Sequence, residues 1–207
     1  AKFGGNSYSG SLDMRLEGGS LVGKGSFNGN RNQYAVDAHF TNFPVRAIMP
    51  LAPVDHLTAH VKADGHGFDF LKASTAVNAD VNLGSVTYDG MTYRDITAQV
   101  NMNAGDVTAR VNSNNPNCNL FMDAQGKIQG ERYIFNVNGN IRDFDANALG
   151  FTDFPLNGTG EIAAFVDYDM RTKNCEFNAD LNHINWNYDG TQLVSENTEL
   201  RFVANDS

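Results

Sequence analysis

Residues 77–83 read Val77-Asn78-Ala79-Asp80-Val81-Asn82-Leu83, an apolar and a polar residue strictly in turn. A period of two puts successive side chains on opposite faces of an extended chain, whereas a helix needs apolar residues three and four apart. One face of this segment is therefore apolar and the other polar. The same alternation recurs in Val107-Thr108-Ala109-Arg110-Val111-Asn112 and in Phe177-Asn178-Ala179-Asp180-Leu181-Asn182. Strands of this kind suit an antiparallel sheet with a single buried side.

Composition extends that reading to the whole chain. Its 207 residues include 26 Asn and 20 Gly but only 5 Pro, and Asn and Gly favour turns over helix interiors. About fourteen strands are expected, at the roughly 8–12 residue spacing of all-β proteins. They cover 12–17, 21–28, 33–41, 58–64, 76–83, 86–89, 96–103, 106–112, 119–126, 132–140, 159–167, 176–182, 185–188 and 199–203. Short turns such as Ala104-Gly105-Asp106 predict hairpins in a meander. Helix is confined to 44–49, opened by Pro44, and to 145–149, with Asp145 as N-cap and Gly150 behind it.

The chain is long enough for one large domain or two small ones, and 41% hydrophobic with 11% aromatic residues is a globular composition. A net charge of -9 excludes phosphate-backbone binding, which rests on clustered Lys and Arg. No stretch reaches the roughly 18–20 apolar residues of a spanning helix, and the start has no signal-peptide core. Two cysteines, Cys118 and Cys175, are too few for a disulfide scaffold and pair only if the fold brings them together.

A long repeat underlies the pattern. At an offset of 101, Tyr34, Val36, Phe40, Phe43, Ala47 and Ile48 fall on Phe135, Val137, Ile141, Phe144, Ala148 and Leu149. At an offset of 100, Tyr88-Asp89-Gly90 falls on Tyr188-Asp189-Gly190. Parity switches after Leu83 and after His183, which predicts a bulge or corner at the same place in both copies. The division expected is a partial leading repeat (1–24), a first unit (25–125) and a second (126–207), in one continuous sheet.

Candidate chemistry is sparse. His56 and His60 have helical metal spacing, but in a strand they stand about 13 Å apart, too far to share one zinc. Asp64-Gly65-His66-Gly67-Phe68-Asp69 reads as a turn, since it lacks the oxygen density of a calcium loop. Asp143/Asp145 and Asp167/Asp169 read as turn supports, and Asn157-Gly158-Thr159 as a tight turn more than a glycosylation site. There is no nucleophile elbow and no phosphate loop. Neither catalysis, a metal nor a cofactor is expected.

What remains is the apolar face. It is written by Tyr34, Val36, Phe40, Val77, Val81, Leu83, Val107, Val111, Phe135, Val137, Ile141, Phe177 and Leu181. Two readings fit: a closed β-sandwich core, or an open sheet whose lining meets a greasy ligand. The acidic residues Asp37, Asp80, Asp106 and Asp180 fall on the opposite, water-facing parity.

The run Asp143-Phe144-Asp145-Ala146-Asn147-Ala148-Leu149-Gly150-Phe151-Thr152-Asp153-Phe154-Pro155-Leu156-Asn157-Gly158-Thr159-Gly160, with the later Asn-Ala-Asp-Leu and Tyr-Asp-Gly pattern, resembles the repeat signature of TamB-like proteins. These are bacterial envelope proteins of the AsmA-like superfamily, and the Asn richness resembles Bacteroidetes members. The resemblance implies an all-β, repetitive antiparallel meander forming a concave β-taco with an apolar interior. It further implies an internal periplasmic segment of an inner-membrane-anchored protein. The role implied is a conduit for phospholipid acyl chains toward the outer membrane, with an Omp85-class partner engaged elsewhere in the protein. Edge-to-edge self-association follows from exposed strand edges. The competing class is a surface adhesin or glycan-binding sandwich, for which Trp186-Asn187-Tyr188 supplies aromatics.

Overall fold

Short connections leave each strand beside its predecessor, and the chain takes that route throughout. The computed structural model describes residues 2–4, 6–16, 18–69 and 72–204. Its strands are β1 (Lys2–Gly4), β2 (Ser7–Leu16), β3 (Gly19–Asn28), β4 (Gln33–Pro44), β5 (Val54–His66), β6 (Ala76–Tyr88) and β7 (Met91–Asn103). They continue as β8 (Asp106–Asn115), β9 (Cys118–Gln129), β10 (Arg132–Asp145), β11 (Leu156–Asp169), β12 (Asn174–Tyr188) and β13 (Thr191–Ala204). All thirteen lie in chain order in one antiparallel sheet that does not close into a barrel.

The count differs from fourteen for definite reasons. Segments 76–83 and 86–89 are one strand, β6, because Gly84 is an extra residue between the pairs Ala59–Leu83 and Thr58–Ser85. Segments 176–182 and 185–188 likewise join in β12, where the register shifts opposite Thr159/Glu161 and His183 has a φ of 49°. Lys2–Gly4 adds a short strand that alternation did not mark. Glu17, the end of the first expected strand, lies outside the described residues.

Helix shrinks further. Only Val45–Ala47 forms a 3-10 turn. The expected helix at 145–149 is a single turn: Leu149 N donates to Asp145 O at 3.1 Å and Ala148 N to Asp145 Oδ1 at 2.9 Å. Asp145 thus caps as its residue type suggests, but Gly150, at a φ of 74°, stops the chain from winding on. Asn157-Gly158-Thr159 is not a turn. It lies within β11, opposite Asn187-Trp186-Asn185, and a Cβ on Gly158 would come within 2.7 Å of Trp186 Cγ. The glycine admits the close approach of the Asn185 carbonyl and the Trp186 ring. Cys118 and Cys175 are free, at opposite ends of the sheet and three strands apart.

The repeat has a structural counterpart, since an offset of six strands relates β2–β7 to β8–β13. Register shifts between Phe40 and Phe43 in β4 and between Ile141 and Phe144 in β10, two equivalent bulges. Asp89-Gly90 and Asp189-Gly190 both turn with two positive φ angles, 47° and 80° in one and 45° and 80° in the other, the tight hairpin geometry that Asp-Gly serves. Each turn is anchored alike: Asp89 N donates to Pro53 O and Asp189 N to Pro155 O, both at 2.9 Å.

A sandwich would bury one whole face beneath a second sheet. Among the described residues there is one sheet, and its buried apolar side chains are a scattered set: Ala38, Phe43, Ala59, Met102, Ile128, Ala146, Leu149 and Ala179. The architecture is therefore the open groove and not the closed sandwich.

Candidate functional site

Directly opposed residues of an antiparallel pair point the same way, so cross-strand register fixes which side chains share a face. Followed from β2 to β13, the pairs Leu12–Gly23–Ala38–Val61–Val81–Ala98–Val111–Met122–Gly139–Ile162–Leu181–Thr198 form one unbroken transverse row. Two further rows begin at Tyr8–Phe27–Tyr34 and at Gly10–Gly25–Val36, and a fourth holds Leu21, Phe40, Ala59, Leu83 and Ile96. All thirteen sequence-assigned lining residues fall on these rows, hence on one face. Twelve are half-buried, and Val36 is 39% exposed. None is fully covered.

The rows differ in size, which alternation alone did not reveal. Gly10, Gly25, Ala63, Ala79, Ala109, Ala124, Ala164 and Ala179 all lie in the row that passes through Val36 and Val137. The row beside it carries Tyr8, Phe27, Tyr34, Met102, Phe135, Phe177 and Phe202. Small side chains between tall ones make a trench at right angles to the strands. With strands about 4.8 Å apart, twelve of them extend it over roughly 50 Å.

Connecting segments overhang this apolar side at both strand ends. Phe68, after β5, lies 6.0 Å from the ring of Phe27 and stacks on Tyr34 at 5.1 Å. At the other end, residues 146–155 reach back three strands, where Tyr93 Oη donates to Leu149 O at 3.1 Å. Phe144 sits between Phe151 and Trp186, at 6.3 and 5.9 Å, and Phe154 meets Tyr188 edge-on at 5.1 Å. The Trp186-Asn187-Tyr188 aromatics thus pack against neighbours within the chain.

The opposite face is a hydrogen-bonded polar lattice, which accounts for the asparagine content. Gln99 Nε2 donates to Asp80 Oδ1 at 2.9 Å, Asn197 Nδ2 to Asn182 Oδ1 at 2.8 Å, and Asn140 Nδ2 to Glu161 Oε1 at 3.2 Å. Asp80, Asp106 and Asp180 are exposed on it, while Asp37 is half-buried. Asp167 accepts from Arg132 Nε at 2.8 Å and from Nη2, and this hydrogen-bonded pairing holds its carboxyl below the usual range. Asp169 accepts from the Thr172 and Arg171 backbone N–H groups, a turn support as its position suggests. Burial pushes the Cys118 thiol up, away from the reactive thiolate. A recess of about 620 Å³ is lined by Lys24, Asp37, Lys62 and Asp64 of this parity together with Gly10, Gly25, Val36 and Ala63 of the other.

His56 and His60 lie on one strand, β5, as expected. His60 instead meets His39, its direct partner on β4: the rings stack at 3.7 Å, and His60 Nε2 lies 2.9 Å from Asp37 Oδ1. Sequence reading missed this cluster, because the register that joins residues 39 and 60 is not visible in one strand. The Asp37-x-His39 spacing was its only local sign. Comparison of the chain with protein-family models, curated proteins and solved structures finds no match in any of the three.

Proposed function

We propose that this chain is a periplasmic segment of a TamB/AsmA-like envelope protein, in which the apolar face conducts phospholipid acyl chains between the inner and outer membranes. The observation that carries the proposal is the apolar trench running in register through twelve strands, with Gly or Ala at eight of its twelve floor positions. Each acyl CH₂ taken from water there contributes about 0.8 kcal/mol, while a headgroup stays in water at the open side. Passage of lipid along such a surface needs no nucleophile and no cofactor, so the segment acts without catalysis. Its contribution to outer-membrane biogenesis, with an Omp85-class partner bound by other regions, belongs to the same proposal. Among the described residues the outer edge of β13 has no partner strand, with Leu193, Val194, Leu200 and Phe202 exposed, and self-association through it is part of the reading. Sedimentation of the isolated chain at rising concentration tests that part, and a strict monomer refutes it. The adhesin alternative draws on Trp186 and Tyr188, but both already have aromatic partners within the chain.

Val81 and Val137 stand mid-strand on the trench, each flanked by polar residues of the other face. Val81→Arg and Val137→Arg in the full-length protein are expected to leave accumulation intact, because the arginine head escapes to the open side. Lipid crosslinking and the outer-membrane permeability barrier are expected to fall. A folded Val81→Arg protein with unchanged lipid contact and barrier would remove the trench from the transport path.

A further inference from the structure

On the polar face, away from the trench, Asp37 and His39 stand two residues apart on β4, and His60 opposes His39 in register on β5. The ligand atoms of the three lie within 4.8 Å of one another. Both imidazoles turn Nε2 toward the same oxygen, Asp37 Oδ1, at 2.9 Å for His60 and 3.6 Å for His39. Lys24 Nζ holds the other oxygen, Oδ2, at 3.5 Å, which leaves Oδ1 to face the rings. An ion bound to three such atoms at about 2.1 Å spaces them roughly 3.3–3.6 Å apart, and the rings, now stacked 13° from parallel, must turn about their side-chain torsions until both in-plane Nε2 lone pairs converge on one cation.

We infer that Asp37, His39 and His60 form a binding site for a borderline divalent transition-metal ion, of the zinc, nickel or copper class. Two imidazole nitrogens and one carboxylate oxygen suit these ions, whereas calcium and magnesium take all-oxygen sets. With His39 and His60 side chains 59% and 42% exposed, the remaining coordination positions open to water. The site is of the three-ligand, open kind and ties β4 to β5. The backbone does not require these residues. In the second repeat the equivalent pair is Asn140 opposite Glu161, joined by an ordinary hydrogen bond, on the same strand pairing. The scaffold thus supports the crossing with amide and carboxylate alone.

Calorimetric titration of the intact, untagged chain with zinc chloride tests the inference. One saturable ion per chain is expected, with no comparable binding of magnesium or calcium. His39→Asn, the residue type found at the equivalent place in β10, and His60→Gln should each weaken zinc binding by tenfold or more, on the scale of about 10–100-fold that losing even an outer-shell partner costs. His56→Gln and His183→Gln should leave it unchanged. Far-ultraviolet circular dichroism of each variant separates a lost ligand from a lost fold. A chain that takes up no zinc, or binding that survives in the folded His39→Asn/His60→Gln double variant, would overturn the site.

Discussion

The two segments that follow the β4 and β10 bulges begin alike and end differently. In the second, Ala146 and Leu149 are only 3% and 4% exposed, and the chain folds back over β7. In the first, the residue equivalent to Leu149 is Ile48, 49% exposed, followed by Met49 at 61% and Leu51 at 99%. Polar contacts tie the first segment down: Arg46 Nη1 meets Asp55 at 2.8 Å, and Arg46 Nε donates to Ala52 O at 3.0 Å. Its counterpart buries apolar residues because β7, of the preceding repeat, lies three strands away to receive them. Three strands before β4 stands only the short β1, which pairs with Ser7–Ser9 at the far end of β2 and does not reach 45–53. Leu193, the β13 residue equivalent to Tyr93, is likewise 53% exposed. The second repeat thus packs its connecting segment onto the last strand of the first.

The sharpest way to break this comparison is to truncate both equivalent residues. Leu149→Ala removes a buried side chain and should cost about 2–4 kcal/mol. Ile48→Ala should stay within about 0.5 kcal/mol, as at an exposed site. Urea unfolding of the two variants measures both, and equal losses would mean the first segment is covered in solution.

A smaller effect separates the repeats electrostatically. Asp167 pairs with Arg132 in the second repeat, whereas the equivalent place on β5 holds His66. Because the folded Asp167 carboxyl is depressed, its contribution is complete above the ordinary carboxyl value, near 4, and fades as pH falls through the lower folded value. With Arg132 half in water, Asp167→Asn should cost about 1 kcal/mol at neutral pH. The gap between the wild type and the variant should narrow as pH falls from the ordinary carboxyl range through the depressed folded value. Unfolding curves at neutral pH and along an acid series check this, and a gap that does not narrow in acid would assign the loss to packing.

Least of all should change at the water-facing acids. Asp80→Asn and Asp180→Asn, equivalent positions on β6 and β12, should each shift stability by no more than about 0.5 kcal/mol. A loss of several kcal/mol at either, in thermal or urea melts, would place that carboxylate on the covered face.

Much of this was legible in the sequence where alternation was strict. Val77–Leu83, Val107–Asn112 and Phe177–Asn182 announced strand, face and water side together, because one face meets apolar neighbours and the other meets solvent. Where a single extra residue flipped the parity, at Gly84 and His183, the sequence marked a bulge or corner in both copies, but it divided into two segments what each bulge leaves as one longer strand. Thr191-Gln192-Leu193-Val194-Ser195-Glu196 shows no clear period, yet it extends β13, held by pairing with β12 and not by burial. Asn157-Gly158 resembles a turn pair, and only the close approach of β12, with Asn185 O at 2.6 Å and Trp186 Cγ at 2.7 Å from where a Cβ would stand, explains a glycine in mid-strand. The trench and the His39–His60 contact depend on register between strands, a property no single segment contains.

The central claim is that one face of this sheet touches acyl chains and the other does not. Site-specific photocrosslinking in the full-length protein, with a benzophenone side chain at Val81 or Val137 and, separately, at Asp80 or Asn138, tests it most directly. These neighbours differ by one residue in position and by the whole sheet in orientation. Lipid adducts are predicted from Val81 and Val137 and not from Asp80 or Asn138. Equal labelling from both faces, or labelling from neither while the protein remains folded, would contradict a lipid path along this groove.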